Sequence, residues 1–143
     1  MGVFDGEGCI SAYMSRHGRW SLTICATLAS EPVIDLFRAA WGGGKHKVKK
    51  LTVGGLQLFT WHISASTAIP FLEYAAQHAL VKRQQAILGL SLAKEMQKYT
   101  VGSRKGHRAS SGIKLISQEE QATRTAIVLQ MRALNGGRSR FAA

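Results

Sequence analysis

Acidic residues are scarce in this chain. Eight Asp and Glu stand against 19 Lys and Arg, giving a formal charge of +11 and a pI near 10.3. So few acids cannot neutralise the bases internally, which excludes a charge-balanced surface and puts polyanions first among partners. A basic surface that is merely solvated is the alternative. Cysteine is also sparse. Cys9 and Cys25 are the only two and have no CxxC spacing, which excludes a disulfide framework or a CxxC metal motif. They read as small buried or half-buried residues in a reducing, intracellular setting, with a single bond between neighbouring strands as the lesser alternative. Long apolar runs are missing: none approaches the roughly 18 residues of a membrane span, and the first residues lack the regions of a secretory leader. No membrane partner is expected. The 143 residues are read as one domain, large enough for a real core.

What is present is strong patterning. Ile10, Ala12 and Met14 alternate with Ser11, Tyr13 and Ser15, and Trp20, Leu22, Ile24 and Ala26 alternate with Ser21, Thr23 and Cys25. With "RHGR" between them these runs predict a hairpin. Ser30, Glu31 and Pro32 open a helix whose apolar stripe (Val33, Ile34, Phe37, Trp41) ends at "GGG". A second hairpin is expected from "KHKVKKL" and "LQLFTWHIS", closed by a type I′ turn at Gly54-Gly55. In its last strand Phe59, Trp61 and Ile63 share one face, and Thr60 and His62 the other. Helices are expected from about Thr67 to His78, from Val81 to about Tyr99, and from the capping box Ser117/Glu120 to Asn135-Gly136. Residues 1–98 would form the core, 99–116 a basic mobile loop, and 117–136 the C-terminal helix.

Within "GVFDGEG", Asp5 and Glu7 lie two apart, so they cannot share a helix face and should have different roles. At a helix C-terminus a carboxylate faces an unfavourable dipole and outward carbonyls. That oxygen-rich setting suits a hard cation such as Mg²⁺, and a glycine-rich solvated turn reads equally well.

That stretch resembles the signature of the LAGLIDADG homing endonucleases: Gly, two apolar residues, Asp, a small residue, an acid, Gly. The helix-hairpin-helix-hairpin order, "WGGG" before a lysine-rich strand, the Trp61 strand and "LVKRQQAI" extend the resemblance over residues 2 to about 95. It implies an α+β, αββαββα fold whose four-stranded antiparallel sheet lies along double-stranded DNA. It also implies Mg²⁺-dependent cleavage of both strands. With one motif in the chain, it implies a homodimer whose motif helices pack through Gly2 and Gly6. By the same resemblance Glu7 is the catalytic metal-binding acid, the Gly6 carbonyl a second metal ligand, and Lys82 the active-site lysine, with Arg83 as its possible substitute. A helix-start cation on a solvated face is the other reading of Lys82. Asp5 is expected to hydrogen-bond backbone. Base contacts would come from Ser11, Tyr13, Ser15, Arg19, Ser21 and Thr23 in the first hairpin, and Lys45, Lys47, Lys49, Thr60 and His62 in the second. Lysines guarding an edge strand are the alternative for "KHKVKK". Leu28 departs from the Gln or Asn the family often places after the second strand. That departure, and a motif helix too short to stand without packing, keep a non-cleaving nucleic-acid binder, such as an intron RNA maturase, as the second reading.

Overall fold

The computed structural model describes residues 1–14, 20–49, 52, 54–97 and 117–136. The expected first turn "RHGR", the basic loop 99–116 and the tail after Gly136 lie outside the described residues, as do Ser15 and Arg19. The elements run α1 (Gly2–Glu7), β1 (Gly8–Met14), β2 (Trp20–Leu28), α2 (Glu31–Trp41), β3 (Gly44–Lys47), β4 (Phe59–Ser64), α3 (Ala65–His78), α4 (Arg83–Gln97) and α5 (Gln118–Leu134). This is the expected α+β order. The four strands form one antiparallel sheet, ordered β1-β2-β4-β3.

One face of the sheet is the core face. Ile10, Ala12, Leu22, Ile24, Ala26, Trp61 and Ile63 alternate along their strands and are buried against Phe4, Ile34, Phe71, Leu72 and Leu92 of the helices. Aromatic contacts knit α1, α2, α3 and β4 together. The rings of Phe4 and Phe71 meet edge-on at 4.7 Å, and Phe37 stacks on Trp61 at 5.1 Å. The Trp61 indole Nε1 donates to the Gly42 carbonyl at 2.7 Å, which fixes the end of α2 to the sheet. The α5 capping box forms as expected, and Asn135 at its far end donates from Nδ2 to the Ile10 carbonyl at 2.9 Å.

The second hairpin differs from expectation. β3 covers only Gly44–Lys47. Gly54 does not take the positive φ that a type I′ turn requires, whereas Gly55 does, at 76°. Thr52 N–H donates to the Leu56 carbonyl, and Gly55 N–H to the Thr52 carbonyl, so three residues rather than two close the loop. A three-residue loop with glycine in the left-handed position is the other common hairpin closure. The helices also shift slightly: α3 begins at Ala65, and α4 at Arg83, leaving Lys82 just ahead of it.

Candidate nucleic-acid interface

The site grows from the passage between α1 and β1. Phe4 is fully buried and anchors a helix of only six residues. At Gly8 the backbone turns into the sheet so close to Phe4 that a Cβ there would collide with the Phe4 ring and carbonyl. Glu7, just before this turn, projects into solvent with no hydrogen-bond or ion-pair partner among the described residues.

Asp5 has the role expected for it. Its Oδ2 accepts from Leu80 N–H at 2.9 Å, and its Oδ1 accepts from Val81 N–H at 3.1 Å and Lys82 N–H at 2.9 Å. These donors sit at the start of α4, where an acceptor stabilises the helix end. Burial pushes the Asp5 carboxyl up, but the backbone donors of Leu80, Lys82 and Val81 outweigh it and hold the group below its ordinary 3.8. One carboxylate thus ties the motif helix to the segment carrying Lys82. The Lys82 carbonyl in turn accepts from Ala86 N–H as α4 begins. Arg83 is engaged elsewhere, its Nε donating to the Ala76 carbonyl at 3.1 Å.

Beyond Glu7 lies the second face of the sheet, which no described helix covers. Strand register places Cys9, Ser11 and Tyr13 of β1 opposite Cys25, Thr23 and Ser21 of β2. His62 follows beside Cys25, Thr60 beside Thr27, and His46 beside Thr60. Ser11, Tyr13, Ser21, Thr23, Thr60 and His62 therefore share one face, as the alternation predicted. Thr60 is nearly buried there, and its hydroxyl meets that of Thr27 at 2.8 Å.

The lysines do not share that face. Lys45 pairs in register with Trp61, and Lys47 with Phe59, which puts both on the core side of the edge strand. Lys45 reaches α2, where its Nζ lies 2.7 Å from Asp35 and 2.9 Å from Glu31. The hydrogen bonds it donates to Asp35 and Glu31 raise its pKa. Lys49 is exposed beyond the end of β3. In place of the lysines the open face carries His46, whose ring centroid is 5.4 Å from that of His62. Sequence reasoning missed His46 because the expected turn put it on the other side.

The cysteines, expected as small buried or half-buried residues, are direct register partners. Cys9 is exposed and Cys25 half-buried. The neighbouring Cys25 thiol draws the Cys9 thiol down to about 6. Burial opposes this, and Ser11 and the charge of Lys82 assist it. Cys25 is pushed up, chiefly by its neighbour Cys9 and then by burial.

No protein-family model and no curated protein matches the sequence. Solved structures do match. The homing endonuclease I-CvuI, in complex with its target, has a TM-score of 0.71 at 17% identity, over 97% of this chain and 81% of that one. The archaeal intron-encoded homing endonuclease I-Vdi141I, complexed with DNA, gives 0.66 at 14%, over 93% and 79%. The I-SmaMI LAGLIDADG homing endonuclease, bound to cleaved DNA, gives 0.63 at 15%, over 96% of this chain but 43% of that one. The chain has the LAGLIDADG homing-endonuclease fold.

On this fold, Leu28 is less of a departure than its place in the sequence suggests. It faces Phe59 in register and packs against the core, while its neighbour Thr27 occupies the open face. Among the described residues no three His, Cys, Asp or Glu side chains converge as a cation site. One chain therefore offers Glu7 and helix-end carbonyls such as that of Gly6, a donor set of the right hard-oxygen chemistry but too small alone. A divalent cation of the Mg²⁺ kind is commonly held by one or two carboxylates completed by phosphate oxygens, and these donors fit that pattern. No helix among the described residues is long and apolar enough to cross a membrane.

Proposed function

We propose that the chain is a site-specific double-strand DNA endonuclease acting as a homodimer with one signature motif per chain. The observation that carries this reading is Glu7: an exposed, unpartnered carboxylate at the α1–β1 turn, beside an uncovered sheet face, on a homing-endonuclease fold. Around it, Asp5 fixes the segment that presents Lys82. The outer side of α1 has open space at Gly2 and Gly6, where a Cβ would meet nothing within 4 Å, and Val3 beside them is 46% exposed. Leu80 and Val81, held by Asp5, are 90% and 67% exposed. This apolar surface suits a second copy, which would bring two Glu7 side chains together and complete the donor set.

Glu7 and the Gly6 carbonyl would hold the divalent cation, which when bound supplies charge stabilisation and a more acidic water. Lys82 places a positive charge where a phosphodiester gains negative charge during hydrolysis, and Asp5 keeps its backbone in place. Ser11, Tyr13, Ser21, Thr23, Thr60 and His62 would meet base edges, which hydroxyls and imidazoles can contact as donors or acceptors. I-CvuI with its target in 2 mM Ca, and I-SmaMI with cleaved DNA, lend this reading their chemistry.

A cleavage selection on a random DNA library with Mg²⁺ tests it. Glu7→Gln should lower cutting by about 10²-fold or more, since it removes charge at the reacting centre, with Tm unchanged because Glu7 has no partner to lose. The solution mass should be near twice 15.6 kDa. The second reading, a binder of DNA or intron RNA that does not cut, is favoured by the end of β2, where the open face carries Thr27 and not the carboxamide expected to order water. Tight binding without cutting under any divalent metal would decide for it.

A further inference from the structure

We propose that Cys9 and Cys25 form a redox-active dithiol that closes to a cross-strand disulfide on the uncovered face of the sheet. They are direct register partners in an antiparallel pair. Opposed residues in such a pair have Cα atoms about 4.5 or 5.5 Å apart, according to their place in the ladder. Both values fall inside the roughly 4.4–6.8 Å span that disulfides occupy, so closure asks for side-chain rotation rather than backbone movement. Cys9 is exposed to a small oxidant, and Cys25 is half-buried beside it. The chain holds no other cysteine, so an intramolecular bond has a single possible pairing.

The oxidant is a peroxide. The Cys9 sulfur attacks one peroxide oxygen, the O–O bond breaks, one water leaves, and Cys9 becomes a sulfenic acid. The Cys25 sulfur then attacks the Cys9 sulfur and expels the second water. Two thiols thereby give two electrons and two protons to the peroxide. A dithiol reductant reverses the bond by exchange. Because Cys9 stands two residues past Glu7, closure alters the surface beside the candidate site, but the bond itself does not depend on what that site does.

Full-length protein with reduced thiols is treated with a small excess of hydrogen peroxide and read by intact mass, thiol alkylation and peptide mapping. The expected product has lost two hydrogens and both alkylatable thiols, stays monomeric on a non-reducing gel, shows a linked Cys9–Cys25 peptide, and reverts with dithiothreitol. Joining strands across a loop of this length should raise the Tm by about 5 °C or more. Cys9→Ser and Cys25→Ser should each abolish the linked product, and the map of the wild-type protein stands even if a variant folds poorly. Oxygenated Cys9 with Cys25 still free, a bond between copies, or a lower Tm after oxidation would overturn the proposal.

Discussion

The two hairpins read alike in sequence, but they are built differently. β1 and β2 pair over seven consecutive positions from Gly8↔Ala26 to Met14↔Trp20, and α5 braces β1 through Asn135. β3 pairs with β4 over four positions and forms an edge of the sheet. The first hairpin adjoins the acids, Glu7 free and Asp5 bonded to backbone. The second holds its one strand lysine with clear partners, Lys45, in ion pairs with α2. The contrast suggests a division of labour. The inner pair β2 and β4 and the first hairpin supply a neutral, hydrogen-bonding face, while the lysine strand docks α2 at the rim.

Asp5 tests the first half of that comparison most severely. Asp5→Ala would leave three donors at the start of α4 without their acceptor, and should cost about 2 kcal/mol by the scale of helix caps and charged hydrogen bonds. Denaturant titration measures this. Cutting should fall as well, because Lys82 loses its tether. Asp5→Asn should fall between. The sign of the pH effect follows from the depressed carboxyl: its stabilisation is complete above the ordinary 3.8 and is lost as pH falls through the lower folded-state value. The gap between wild type and Asp5→Ala should therefore close in acid. A gap that persisted unchanged would break the assignment.

Spacing made it legible that Asp5 and Glu7 have different roles, and the family resemblance gave Asp5 the backbone one. The first hairpin was legible for a related reason: alternation assigns faces within a strand without reference to any partner. The second was not, because the face its lysines take against β4 depends on how the loop closes. A two-residue loop at Gly54-Gly55 would set Lys47 opposite His62 and Lys49 opposite Thr60. Thr52 N–H donates to the Leu56 carbonyl and Val48 N–H to the Leu58 carbonyl, and Lys47 stands opposite Phe59. One residue of register moves every side chain to the other face. The Cys9–Cys25 pairing was hidden similarly, since the length of the first turn had to be known before the partners could be. Gly55→Ala should cost about 1 kcal/mol, because its φ of 76° disfavours a side chain. Gly54→Ala should cost clearly less, and equal losses would restore the type I′ turn. Thr60→Val, which removes the 2.8 Å bond to Thr27, should also cost about 1 kcal/mol.

Lys45 gives the smallest effect and the sharpest reading of the second hairpin. Its side chain retains 24% of its exposure, and its two acids keep about half of theirs, so the ion pairs are largely solvated. Lys45→Ala should then lower stability by only about 0.5 kcal/mol, less at high salt. The salt dependence of DNA binding asks the functional question separately. A lysine that neutralises a phosphate contributes about 0.9 to the slope of log affinity against log salt. A lysine already satisfied by Asp35 and Glu31 on the covered side contributes none, so Lys45→Ala should leave the slope unchanged. The charge-removing variant of exposed Lys49, beyond the end of β3, is the matched control. A slope that dropped for Lys45→Ala would mean that the α2 clamp opens on DNA, and the rim lysines would rejoin the binding face.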